Sequence, residues 1–145
     1  MISFESDYNN GCHEAILKRL MDTNDERATG YGLDGYCTAA REKIRMACGK
    51  AEADVFFLVG GTQTNATVID AMLHSYQGVL AVETGHINVH ESGAIEFGGH
   101  KVLTLPSHDG RMDARELEQW LHDFFADPTF DHMVFPGMVY ITFAT

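Results

Sequence analysis

The sequence is poor in basic residues. Its 145 residues include 10 Lys and Arg against 21 Asp and Glu, which gives a formal net charge of −11. A chain this acidic repels the phosphates of nucleic acids, and no cluster of basic residues offsets the repulsion. These counts exclude nucleic acid as a partner.

Long apolar runs and paired cysteines are also missing. The longest apolar run has about six residues, far below the roughly 20 that span a membrane. The first ten residues contain no basic segment followed by an apolar one, so we expect neither a signal peptide nor membrane association. The cysteines, Cys12, Cys37 and Cys48, are odd in number and have no CxxC spacing. They are typical of a reducing compartment, and we expect a cytoplasmic protein.

What is present is the composition and periodicity of a folded domain. Hydrophobic residues make up 45% of the chain, enough for a packed core. Short strands that are apolar on both faces alternate with helices, a pattern typical of a parallel sheet covered on both sides. The fold class is therefore α/β, with N-terminal helices followed by alternating strands and helices. Helices are predicted at 12–22, 36–48 (stopped by Gly49), 63–76 (Val68, Ile69, Met72 and Leu73 inward), around 87–97 and at 113–125 (starting at Asp113), and strands at 54–59, 79–82, 101–105 and 138–143.

The end of the sequence is unusual for a complete domain. The chain stops at Thr145, directly after the predicted strand 138–143, with no helix to cover that strand. An uncovered last strand would expose an apolar face and an unpaired edge. We therefore expect residues 1–145 to be part of a domain truncated at its C terminus. The alternative is a C-terminal edge strand that docks on the sheet.

A small polar turn, Gly60-Gly61-Thr62, joins the predicted strand 54–59 to the helix that follows. Glycines allow a ligand to approach the backbone, the helix N-terminus offers free N–H groups, and Thr62 and Thr64 add hydroxyl donors. This pattern suits a phosphate, although neither GxxxxGK[ST] nor GxGxxG is present. Helix capping by a threonine explains the same residues without a ligand.

A second group of polar residues follows the strand at 79–82, in the segment "ETGHINVHESGAIE". On a helix, the rings of His86 and His90 share one face, with Glu91 next to them. The order HxxxHE differs from the zinc motif HExxH, and no third ligand is suitably spaced, so we predict no metal site. His86 could instead stack on a planar cofactor whose phosphate lies at Gly61, or simply be a hydrogen-bonded residue. Glu91 could bond either histidine or be solvated.

Several segments together resemble the N-terminal half of the threonine aldolases, pyridoxal-phosphate lyases of the aspartate-aminotransferase fold type. The similar segments are "ESDY", "TGYGLD", "FFLVGGTQTN", "TGHINVHESGAIE" and "HMVFPGMVYIT", in order along nearly the whole chain. The resemblance implies that residues 1–145 belong to the large cofactor-binding domain. It also implies cleavage of a β-hydroxy amino acid such as threonine to glycine and an aldehyde.

The resemblance also implies roles for particular residues. The phosphate of pyridoxal 5′-phosphate would bind the turn Gly60-Gly61-Thr62, and His86 would stack on the cofactor ring and take part in proton transfer. Ser6 matches a position that contacts the substrate carboxylate. Tyr31 matches a loop that reaches the active site of a neighbouring subunit, so we expect a homo-oligomer, a dimer or a tetramer. His90 departs from the tyrosine that some members carry to shape the substrate pocket.

The lysine that binds the cofactor covalently in this family has no counterpart here. The lysines present are Lys18, Lys43, Lys50 and Lys101, and none matches the family's motif. The acidic partner of the pyridine nitrogen is also missing, so we expect the isolated chain to be inactive. The alternatives are a non-catalytic, phosphate-binding fragment or half-enzyme that needs a second chain, and another β-eliminating amino-acid lyase of the same fold.

Overall fold

The computed structural model describes residues 8–142 of the chain. The chain divides between Phe57 and Leu58 into two compact units, the first made of helices and loops and the second built on a parallel sheet. No helix within the described residues combines the length and the apolar character that a membrane crossing requires.

The first unit contains helices α1 (Glu14–Asp22) and α2 (Gly35–Cys48). The carboxylate of Asp34 caps α2 by accepting a hydrogen bond from the amide of Cys37 at 2.9 Å. Gly49 ends the helix in the left-handed conformation, with φ 62°. Both helices and the glycine stop are confirmed. None of the described residues of this unit is buried, so its apolar side chains remain at least partly exposed.

The sheet of the second unit has three parallel strands in the order β2-β1-β3. The strands are β1 (Gln77–Val82), β2 (Val102–Leu105) and β3 (Phe135–Val139). Strand β1 lies in the centre, with five consecutive buried residues, as expected for a strand covered on both faces. The predicted α/β class and the parallel sheet are confirmed.

Helices cover this sheet and contribute most of the rest of its core. They are α3 (Gly61–Met72), α4 (His86–Val89), α5 (Ala94–Phe97) and α6 (Ala114–Ala126), and a 3₁₀ turn (Phe130–His132) follows α6. The helix predicted to start at Asp113 is α6, which begins one residue later. Asp113 is its N-cap, and its carboxylate accepts a hydrogen bond from the amide of Arg115 at 2.8 Å. The core cluster joins three helices to two strands through Ile69, Leu73, Val79, Ala81, Ile87, Ile95 and Val102.

Two strand predictions need correction. Residues 54–59 form no strand with any described part of the chain, and Phe56 and Val59 are 79% and 95% exposed. An apolar extended segment becomes a strand only when a neighbour takes up its backbone hydrogen bonds, and its own composition does not provide that neighbour. The last strand, predicted at 138–143, runs earlier, from Phe135 to Val139, because it follows the hydrogen-bonding groups of β1. Phe143 lies outside the described residues.

Two helix predictions also need correction. The helix predicted at 63–76 is α3, which starts two residues earlier and ends at Met72. Ile69 and Leu73 face the core as predicted, but Val68 and Met72 are 41% and 69% exposed because only a narrow stripe of α3 meets the sheet. The segment 87–97 forms two short helices, since Ser92 and Gly93 adopt positive φ values of 54° and 72° that no α-helix accommodates.

Candidate functional site

The turn Gly60-Gly61-Thr62 forms the start of α3. Gly60 is the N-cap, with an extended backbone (φ −167°, ψ 168°), and it has no side chain to accept hydrogen bonds from the first amides. The first helical bond is donated by the amide of Thr64 to the carbonyl of Gly60 at 2.9 Å. The amides of residues 61–63 precede that bond, so they are the groups with which a helix N-terminus binds an anion.

The space in front of this turn is open. A Cβ atom at Gly60 or Gly61 would have no heavy atom within 4 Å beyond its chain neighbours and its own helix. Thr62 is exposed. The hydroxyl of Thr64 donates to the carbonyl of Gly60 at 2.9 Å, so its hydrogen is already bonded within the helix and does not face a ligand. Capping by a threonine is therefore wrong, and the two glycines leave clear volume that a phosphate group could fill.

His86 is the first residue of α4, four residues after the end of β1. Its amide donates to the hydroxyl of Thr142 at 3.0 Å, and its side chain is 48% exposed. The preceding residue must be glycine, because a Cβ atom at Gly85 would lie 2.9 Å from the carbonyl oxygen of Val82. The backbone thus places the imidazole at the carboxyl end of the central strand, where ligands of parallel sheets bind.

Glu91 fixes the orientation of this imidazole. Its Oε1 atom lies 2.7 Å from Nδ1 of His86, and its side chain is completely buried. Its other oxygen, Oε2, is buried without a hydrogen-bond partner among the described residues. Of the alternatives that the sequence leaves open, the contact with His86 is therefore correct and solvation is wrong.

Asn65 connects the glycine turn to this pair. It lies on the first turns of α3, and its amide nitrogen donates to Oε1 of Glu91 at 2.6 Å. The same nitrogen lies 3.4 Å from the hydroxyl of Tyr140, just beyond β3. One continuous set of hydrogen bonds thus runs from the helix that opens at Gly61 to the imidazole of His86.

The remaining predicted site residues have different positions. His90 is exposed, and its ring centroid lies 5.4 Å from that of His86 at an interplanar angle of 48°. Tyr31 belongs to the first unit, is fully exposed and has a positive φ of 62°. Ser6 lies outside the described residues. Within the described part of the second unit, the structure brings together the glycine turn, His86 and His90.

The sequence analysis missed Asn65 and Tyr140 as parts of the site. A signal for Asn65 was present, because it lies four and eight residues before Ile69 and Leu73 and so shares their core-facing stripe. A polar residue on such a stripe needs a buried partner. Nothing local distinguishes Tyr140, since its contact with Asn65 spans 75 residues of chain.

Comparison with known families gives one match over almost the whole chain. A family model described as "Beta-eliminating lyase" matches residues 4–144. Two similar curated proteins are low-specificity L-threonine aldolases. The one from a Pseudomonas species is 30% identical over 118 residues, which cover 80% of this chain and 34% of that protein. The one from Pseudomonas aeruginosa is 31% identical over 111 residues, which cover 75% and 32%.

A solved structure shows the same similarity in three dimensions. The chain superposes on a threonine aldolase of Leishmania major with a TM-score of 0.87 and 40% sequence identity. The match covers 94% of this chain and 39% of the Leishmania protein. The chain thus spans about a third of the length of the curated relatives it matches.

Proposed function

The chain belongs to the β-eliminating lyase family, and we propose that it carries the cofactor-binding turn and ring platform of a threonine-aldolase-like enzyme. Members of this family depend on pyridoxal 5′-phosphate. The proposed reaction is retro-aldol cleavage of a β-hydroxy amino acid, such as threonine, to glycine and an aldehyde. The observation that carries the proposal is the hydrogen-bonded path from α3 through Asn65 and Glu91 to His86.

The residues present fit the cofactor at both of its ends. We assign its phosphate to the turn Gly60-Gly61-Thr62, where uncapped amides and the positive end of the helix dipole face open space. We assign its ring to the half-exposed imidazole of His86. When bound, the cofactor supplies an electron sink for the carbanion left by cleavage of the Cα–Cβ bond.

His86 has a second proposed role in proton transfer. Cleavage requires removal of the proton from the β-hydroxyl of the substrate, by a group within hydrogen-bonding distance. Nδ1 of His86 is already bonded to Glu91, so Nε2 is the ring atom that would accept this proton. The same side chain would therefore orient the ring and act as the general base.

Three further residues have proposed roles in substrate binding. We assign Ser6 to the substrate carboxylate, His90 to the substrate pocket, and Tyr31 to the active site of a neighbouring subunit. The exposure of Tyr31 agrees with a contact outside its own unit, and it motivates the proposal of a homo-oligomer, a dimer or a tetramer. We also propose a cytoplasmic location and a place for residues 1–145 in the large domain of the complete enzyme.

We propose that none of the lysines of the chain anchors the cofactor. Lys101 immediately precedes β2, at the amino edge of the parallel sheet, whereas His86 follows the carboxyl end of β1. The other lysines, Lys18, Lys43 and Lys50, lie in the first unit and match no family motif. We propose that a lysine from outside residues 1–145 completes the active site, so this chain alone lacks aldolase activity.

Binding of a cofactor analogue tests the proposal without requiring that lysine. The probe is 4-deoxypyridoxine 5′-phosphate, which lacks the aldehyde and cannot react with any lysine, and calorimetry measures its affinity. We expect the chain to bind it, and to bind the same compound without phosphate much more weakly. Equal affinity for both compounds, or no measurable binding of either, would overturn the assignment of the glycine turn.

Product analysis tests the reaction class. The purified chain with pyridoxal phosphate and L-threonine should release no acetaldehyde, and addition of a polypeptide that carries the family's lysine should restore release. Pyruvate and ammonia, in place of glycine and an aldehyde, would identify another β-eliminating lyase. Acetaldehyde from the chain alone at an enzyme-like rate would show that one of its four lysines serves as the anchor.

A further inference from the structure

We propose that Glu91 is a positioning residue, which holds His86 in the tautomer with hydrogen on Nδ1 and thereby leaves Nε2 as the proton acceptor. Oε1 of Glu91 accepts a hydrogen bond from the amide nitrogen of Asn65 at 2.6 Å, and an oxygen of a carboxylate can only accept. The Nδ1 atom of His86, 2.7 Å from the same oxygen, is then the donor. The role in catalysis rests on the proposed function; the tautomer itself does not.

The burial of Glu91 distinguishes this role from simple packing. A completely buried carboxyl group loses its hydration, and its unpartnered Oε2 atom adds a further cost. An apolar side chain of similar size would fill the same volume without that cost. A buried acid that is incompletely paired, next to a half-exposed imidazole, is typical of a functional site.

The rest of the site explains why a fixed tautomer matters. Nε2 of His86 has no partner within residues 8–142, so the state of Nδ1 alone decides whether Nε2 offers a lone pair or a hydrogen. Only the lone pair can take a proton from a substrate hydroxyl. Because Asn65 bonds the same oxygen, Glu91 also holds the ring at a fixed place relative to α3.

Nitrogen NMR of the imidazole rings tests the tautomer on the full chain without cofactor or turnover. The chain is labelled with ¹⁵N-histidine, and its eight histidines are observed in long-range ¹H–¹⁵N spectra at a pH where the rings are neutral. The His86→Gln variant identifies the signals of His86. We expect His86 to carry its hydrogen on Nδ1 in the wild-type chain, and to shift to the Nε2–H form in Glu91→Ala.

Two further variants complete the experiment. Glu91→Gln keeps an acceptor oxygen of the same size, so it should retain the Nδ1–H form of His86. Glu96→Ala removes an exposed acid of the same segment and should leave the spectrum of His86 unchanged. Dispersed amide spectra show whether each variant is folded.

The outcomes separate this inference from the proposed function. An Nε2–H signal for His86 in the wild-type chain, or an unchanged Nδ1–H signal in folded Glu91→Ala, would overturn it. If Glu91→Ala does not fold, the wild-type and Glu91→Gln spectra still test the assignment of the Nδ1–H tautomer. An Nε2–H form of His86 in either of these two proteins contradicts it. Failure to bind the phosphate analogue would instead count against the proposed function, since the tautomer is measured without ligand.

Discussion

The amide nitrogen of Asn65 lies 2.6 Å from Oε1 of Glu91, and this contact ties the glycine-led helix α3 to the segment that carries His86. Asn65 comes one helical turn after Gly61, so the hydrogen bond fixes the position of the turn relative to the imidazole. A ligand whose phosphate lies at the glycine turn and whose ring lies on the imidazole of His86 needs such a fixed spacing. The contact therefore connects the two halves of the proposed cofactor site.

Replacement of Gly61 by valine should weaken phosphate binding without unfolding the chain. The new side chain would meet open space, so the fold accommodates it, but it would occupy the volume assigned to the phosphate. We expect a loss of about 2 kcal/mol, roughly 30-fold in Kd, the scale of a hydrogen bond to a charged group. Calorimetric titration with 4-deoxypyridoxine 5′-phosphate measures this change.

Gly35 offers a matched control for that substitution. It is the first residue of α2, as Gly61 is of α3, and a Cβ atom there also meets no heavy atom within 4 Å. Gly35→Val should leave the affinity for the analogue unchanged. An equal loss in both variants would mean that the effect comes from helix destabilisation.

Replacement of His86 by phenylalanine should separate stacking from proton transfer. Phenylalanine keeps an aromatic face for the cofactor ring but has no nitrogen to accept the proton of the β-hydroxyl. The variant is measured in the active enzyme, in which a further polypeptide supplies the family's lysine. We expect the cofactor to stay bound and turnover to fall by roughly 10²–10⁴-fold. Steady-state rates of acetaldehyde release measure the effect, and full retention of turnover would restrict His86 to stacking.

The two faces of α3 should differ in their contribution to stability. Ile69 is 2% exposed in the core cluster, whereas its neighbour Val68 is 41% exposed. We expect Ile69→Ala to lower the free energy of unfolding by about 2–5 kcal/mol, because it leaves a cavity. Val68→Ala should change it by no more than about 0.5 kcal/mol. Urea denaturation of both variants compares them, and equal losses would contradict the observed orientation of α3.

The pair His108–Glu116 should stabilise the chain only at low pH. Nε2 of His108 lies 2.9 Å from both carboxylate oxygens of Glu116, and this hydrogen bond, with the charges of Glu116, Asp113 and Asp109, raises the pKa of His108. A raised histidine pKa means that the contribution is complete below the ordinary value of about 6.5. The contribution is lost as the pH rises through the raised value.

Thermal unfolding tests this pH dependence. His108→Ala should lower Tm more at about pH 5.5 than at a pH above the raised pKa of His108, because the contribution of the charged ring is lost there. The effect should be small, because both side chains are substantially exposed. His122→Ala is the control, since that exposed ring lies 3.6 Å from Asp123 without a hydrogen bond. A larger loss at the higher pH would contradict the sign.

Local sequence was sufficient for much of the fold. Gly49 and Asp113 mark helix ends through hydrogen bonds within a few residues. The stop at Gly49 is confirmed, and Asp113 is the N-cap of the helix predicted to start there. The apolar strand at 79–82 forms the centre of the sheet, because a run buried on both faces suits only that place. Family membership followed from short motifs read in order, and the family match over residues 4–144 confirms it.

What the sequence determined alone are these local features, together with the glycine turn and the presence of His86 and Glu91 five residues apart. Only the tertiary structure decided that residues 54–59 pair with no described strand and that Glu91 is buried between His86 and Asn65. The physical reason is separation along the chain. Asn65 reaches Glu91 across 26 residues, and such a contact depends on how α3 packs against β1, not on the residues next to either side chain.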